Sequence, residues 1–79
     1  MRVRLLTDGG YERAGNDFSA VRFPVEVEAS WVEKGRLVEV TKEELNRVGV
    51  RGFIASNDLR IGTGWSFLIG TEAEVVDAE

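Results

Sequence analysis

The chain contains no cysteine and no histidine. Disulfides, thiolate nucleophiles, Cys/His zinc sites, haem ligation and histidine-based triads are therefore excluded. Proline occurs once, at Pro24, and no apolar run approaches the ~18 residues of a membrane-spanning helix. The apolar stretch that follows Met1 is too short for a signal peptide, so the expected location is intracellular. A basic excess is also missing: 10 Lys and Arg stand against 14 Asp and Glu, a net charge of −4 with pI ≈ 4.8. General nucleic-acid binding draws most of its affinity from phosphate contacts, so direct binding of DNA or RNA is not expected. Carboxylates, hydroxyls, Tyr11, two Lys and eight Arg are the only groups left for acid–base work. An enzyme is accordingly not expected, and neither is a cofactor or a bound metal.

What is present is one small domain of 79 residues, a size that buries only roughly 60% of its unfolded-chain surface. Arg2 to Thr7 alternates, with Met1, Val3 and Leu5 on one face and Arg2, Arg4 and Leu6 on the other, which predicts a strand. Asp8-Gly9-Gly10 stops it, and residues 9–20 read as a loop anchored by Tyr11 and Phe18. Residues 21–32 hold the clearest period-2 pattern. Phe23, Val25, Val27, Ala29 and Trp31 share one face, and Pro24, Glu26, Glu28 and Ser30 the other. Glu33-Lys34-Gly35 predicts a hairpin link, with a return strand over Arg36–Val40.

Thr41-Lys42-Glu43-Glu44 matches a capping box, in which Glu44 reaches back to the Thr41 amide. The spacing predicts a helix over Lys42–Val48 that buries Leu45 and Val48, carries a Glu43–Arg47 pair and stops at Gly49. Short strands are expected at Gly52–Ala55, Trp65–Ile69 and Glu72–Val76, the last with Ala73 and Val75 inward, and turns at Ser56–Asp58 and Gly62–Gly64. Asp77-Ala78-Glu79 reads as a frayed tail. The expected class is mainly β (α+β): a bent five- to six-stranded antiparallel sheet or an SH3-like barrel with one short helix.

Charge is unevenly placed. Residues 26–46 are rich in Glu, residues 71–79 carry no base, and residues 47–70 are mildly basic through Arg47, Arg51 and Arg60. Glu26 and Glu28 lie two apart on one strand face, Glu39 on the return strand can join them, and Glu43 and Glu44 open the helix. Carboxylates on such faces are ordinarily solvated; grouped, they offer a surface to Lys and Arg of a partner or imitate phosphates. Gly9-Gly10 and Gly62-Thr63-Gly64 lack phosphate-loop spacing and read as turns. Trp31 and Trp65 face inward. One or two of Tyr11, Phe18 and Phe53 are expected to be exposed as apolar anchors.

Leu5-Leu6-Thr7-Asp8-Gly9-Gly10-Tyr11, Phe23-Pro24-Val25-Glu26-Val27, Glu43-Glu44-Leu45 before Val48-Gly49, and Trp65-Ser66-Phe67-Leu68 together resemble small uncharacterised phage and prophage proteins. These motifs carry no known activity and transfer no functional residue. By class profile, a small, acidic, cysteine-free phage domain is similar to anti-CRISPR proteins, which implies a stoichiometric inhibitor of a host nucleic-acid-handling complex. On that reading the partner is a CRISPR effector with a basic surface. Glu26, Glu28, Glu39, Glu43 and Glu44 would meet its Lys and Arg, with Tyr11 and Phe18 anchoring. The alternative is a phage structural or assembly accessory that forms homo-oligomers. A third reading is a nucleic-acid module using Arg2, Arg4, Arg22, Arg51 and Arg60.

Overall fold

A computed structural model describes residues 1–13, 15–52 and 64–77. The strand expected at Gly52–Ala55 runs into residues outside that set, as do the anchor Phe53, the turn at Ser56–Asp58, most of the turn at Gly62–Gly64, Arg60 and the last two residues of the chain.

Among the described residues six strands and one helix follow in the order β1 (Arg2–Leu5), β2 (Val25–Glu28), β3 (Ser30–Glu33), β4 (Leu37–Thr41), α1 (Lys42–Arg47), β5 (Gly64–Leu68) and β6 (Ala73–Asp77). They form two three-stranded antiparallel sheets, β2-β1-β6 and β3-β4-β5. The mainly β class with one short helix is what the alternation predicts.

The single strand expected over residues 21–32 is two strands divided at Ala29, whose N–H donates to the Met1 carbonyl at 2.8 Å. The alternation survives the division. Val27 is buried, Glu26, Glu28 and Ser30 are exposed, and one continuous run of chain therefore serves both sheets. Trp31 is only half-buried, less enclosed than its inward position suggests.

The core is built from the inward positions of five of the strands: Val3 and Leu5, Val27, Val38 and Val40, Trp65 and Phe67, and Ala73, with half-buried Trp31 of β3 packed against it. Leu45 enters from the helix, Val50 from just beyond its end, and Phe18 and Val21 from the long β1–β2 connection. That connection is pinned at two places. Asp17 and Arg51 exchange backbone hydrogen bonds at 2.8 and 2.9 Å, and the Tyr11 ring meets Phe67 edge to face at 5.6 Å. Gly9 is required beneath this contact. It sits at φ +64°, and a Cβ there would lie 3.0 Å from the Phe67 ring.

The helix is short and strongly terminated. Thr41 Oγ1 accepts the Glu44 N–H at 3.2 Å, and Gly49 at φ +113° follows the last turn. Gly49 N–H donates to Asn46, and Val50 N–H donates to Leu45, the paired bonds of a Schellman motif whose apolar contact is buried Leu45 with Val50. Val48 is half-buried, not part of the sealed core. Among the described residues no helix is long and apolar enough to cross a membrane.

Candidate functional site

Two neighbouring depressions lie where β2, β3, β4 and α1 meet, and the fold treats their charges differently. The first, about 340 Å³, is lined by Arg2, Glu26, Glu28, Glu44 and Arg47. It continues onto the outer face of the first sheet, where strand register alternates acid and base. Arg4 lies between Glu26, at 3.4 Å, and Glu74, at 2.6 Å. Arg2 reaches Glu28 at 3.4 Å and Glu26 at 3.8 Å. Glu74, and then Glu26, hold the Arg4 guanidinium above its ordinary pKa, so this face is an internally compensated charge ladder. The arginines Arg2 and Arg4, considered above for phosphate contacts, face carboxylates.

Glu44 departs from the capping-box expectation. Its carboxylate does not return to the Thr41 amide; it crosses to the edge of β2 and accepts the Glu28 N–H at 2.8 Å. It also pairs with Arg47 at 2.8 Å, so Arg47 has an i,i+3 partner in place of the expected Glu43. Arg47 in turn donates to the Glu26 carbonyl at 3.2 Å. The helix thus covers the open edge of β2 with side chains, a common protection of sheet edges. The Arg47 hydrogen bonds, with help from the Glu28 N–H, hold the Glu44 carboxyl below its ordinary pKa against an opposing desolvation.

The second depression, about 220 Å³, is lined by Glu28, Ala29, Ser30, Glu39, Thr41 and Glu44, with three carboxylates and no base. Glu39 belongs to the outer face of the second sheet, because Val38 and Val40 on either side of it are fully buried. Its side chain lies across β5, where a Cβ built on Gly64 would fall on it. Among the described residues Glu39 has no ion-pair partner. No group of three or more acidic side chains among them is disposed to hold a metal ion.

Of the residues singled out from the sequence, the structure brings Glu28, Glu39 and Glu44 to one depression and leaves Glu26 on the compensated ladder beside it. Glu43 is exposed on the helix and lines neither. Tyr11 and Phe18 anchor the loop on the body of the domain, as expected, but neither is exposed as an anchor for a partner. Phe18 is 3% exposed and packs in the core, its ring stacked on Phe23 at 6.2 Å, so it has no face to offer. Tyr11 is half-buried, and its hydroxyl donates to the Ser66 carbonyl and accepts the Ser66 N–H, both at 3.0 Å. That pair of bonds ties the loop to the edge of β5.

Among the described residues the exposed large apolar side chains are instead Val32, Leu68, Val75 and Val76. Val75 was expected inward but is 37% exposed on β6, next to a bulge in the β1–β6 register. Val32 and Leu68 belong to the second sheet. Leu68 sits directly opposite half-buried Leu37, and Val32 sits in the β3 bulge beside Leu37. The signal for this strip was available in the sequence, because Leu37 and Leu68 are apolar residues on the outward parity of their strands.

No protein-family model, curated protein or solved structure matches this chain.

Proposed function

We propose that this chain is a small stoichiometric inhibitor that docks on a basic surface of a host nucleic-acid-handling protein complex. A Lys or Arg of the partner enters the depression between Glu28, Glu39 and Glu44. The observation that carries the reading is the contrast between Glu39 and its neighbours. Glu26 and Glu74 are balanced by Arg2 and Arg4, Glu28 by Arg2 and the Met1 amino group and Glu44 by Arg47, whereas Glu39, in the same depression as Glu28 and Glu44, meets no cation among the described residues. An incoming cation gains most where charge is uncompensated and partly enclosed. The class profile described above names the partner more finely: a phage-encoded protein acting in the host cytoplasm on a CRISPR effector, whose DNA binding it blocks.

The test is affinity capture of the tagged chain from its bacterial host at low and high salt, with the captured proteins identified by mass spectrometry. A nucleic-acid-handling complex recovered in stoichiometric amount, released by salt and lost with Glu39→Lys, supports the reading. Capture of such a complex that is indifferent to Glu39→Lys moves the interface elsewhere. Recovery of virion components or of the chain alone turns the reading toward assembly. Charge reversal at Glu26 and Glu28 is the poorer probe, since it would place new cations against Arg2 and Arg4.

A further inference from the structure

We infer that the outer face of the second sheet is a weak self-association surface, whose occupant is a second copy of this chain related by a two-fold axis. The face has three zones. Its middle is the apolar strip of Val32, Leu37 and Leu68, with Val32 41% and Leu68 37% exposed. One end is the β3–β4 turn, where Arg36 is engaged by Glu33 at 2.8 Å and Lys34 has no ion-pair partner among the described residues. The other end carries Glu39, likewise without one. Glu72, near Leu68, is turned to the backbone, accepting the Leu68 N–H at 2.8 Å. The charges left unspent are therefore a cation at one end and an anion at the other, with apolar surface between them.

That order is self-complementary. A two-fold axis through the apolar strip lays Leu68 and Leu37 of one copy on those of the other and brings each Lys34 to the opposite Glu39. The other exposed valines do not offer the same fit. Val75 and Val76 lie on β6, where Glu74 is already paired with Arg4 and the remaining charge is Asp77, so two copies meeting there find no unpaired cation among the described residues to form a cross-pair. The second-sheet face is small, and a contact of this size falls at or below the ~1,200 Å² of weak, transient interfaces. The association stands whether or not the acidic depression receives a partner. Because it draws on Glu39, a second copy and a cationic partner would compete for that carboxylate.

The experiment is sedimentation equilibrium of the purified chain over about 10–1,000 µM, the range suited to a small interface, with no partner present. The mass should rise toward that of two protomers. Leu68→Glu should hold it at one protomer across the range. Lys34→Glu alone and Glu39→Lys alone should each weaken association about tenfold or more, by opposing like charges. Mixed in equal amounts, these two single variants should associate at least as well as the unaltered chain, because both cross-pairs are then Lys with Glu. That rescue cannot come from misfolding of either variant. A chain that stays monomeric to the highest concentration overturns the proposal, as does a mixture that associates no better than its components. Neither result bears on capture of a host complex, which is read in a separate assay.

Discussion

The contact between Gly64 and Glu39 gives a substitution whose sign should reverse with its background. Gly64 is not among the glycines with positive φ, so alanine fits its backbone, and relief of glycine's chain entropy in a strand favours alanine by roughly 0.5–1 kcal/mol. Against this, the new Cβ would fall on the Glu39 Cγ and carboxylate, inside any real contact distance. If Glu39 swings away, its two methylenes lose cover worth up to about 0.8 kcal/mol each; if the strands shift instead, overpacking costs about 1–3 kcal/mol. Gly64→Ala should therefore destabilise by about 0.5–2 kcal/mol net, the steric cost outweighing the entropy gain. In a Glu39→Ala background the obstacle is gone, and the same substitution should stabilise by about 0.5–1 kcal/mol. The double-mutant cycle, measured by urea denaturation at neutral pH, should return a coupling of about 1–3 kcal/mol. A coupling near zero, or destabilisation by Gly64→Ala in both backgrounds, would refute the placement of Glu39 across β5 and the shape of the depression it lines.

Phe18→Ala should cost about 3–5 kcal/mol, as for a core ring, out of a total of about 4–12 kcal/mol for a domain this size; a change below about 1 kcal/mol in the denaturation midpoint energy would return Phe18 to the surface. Thr41→Ala should lose about 1 kcal/mol by uncapping α1 while Thr41→Ser retains most of it, and equal stabilities of the two variants would sink the cap. Stability should fall as pH is lowered through and below 4.5, the ordinary value for Glu44. The folded-state value lies lower, so the contribution is complete above 4.5 and drains as the folded carboxylate protonates. Asp17, held low first by Ser19, acts in the same direction. Glu44→Gln should flatten that slope in denaturation curves taken at stepped pH, and an unchanged slope would remove Glu44 from the account.

Period-2 alternation carried most of the fold, because each strand buries one face and the parity of Val3 and Leu5, of Val38 and Val40, and of Trp65 and Phe67 follows directly. The helix ends were legible for a similar local reason: Thr41 and Gly49 act on backbone groups a few residues away. What alternation does not encode is where a strand passes from one sheet to the next. Residues 21–32 read as one strand because the parity is unbroken across Ala29, and only the pairing of β2 with β1 and of β3 with β4 divides it. The partners of charged side chains were the least legible. Glu44 had a local option, the Thr41 amide, and a distant one, the Glu28 N–H at the edge of β2. The distant one prevails because an open strand edge close to the helix has a donor to satisfy. Phe18 misled for a related reason: a loop between glycines suggests exposure, yet this loop folds back and places its ring on Phe23.

The distribution of charge, more than its total, limits where this chain can meet another molecule. A net charge of −4 invites the idea of a uniformly acidic surface. The first sheet contradicts it, since Glu26, Glu28 and Glu74 are interleaved with Arg2 and Arg4 by strand register. A cationic partner arriving there must displace an arginine already in place, and the exchange of one exposed ion pair for another gains little. The second sheet has no such ladder. Its outer positions are Ser30, Glu33, Leu37, Glu39, Thr41, Gly64, Ser66 and Leu68, with Val32 in the bulge beside Leu37; Glu33 is matched by Arg36, so among the described residues a single unmatched carboxylate, Glu39, stands beside apolar surface. That pairing of one charge with an apolar strip is what either a basic partner or a second copy would use. Glu39→Gln should accordingly change association far more than Glu26→Gln, although each removes one negative charge.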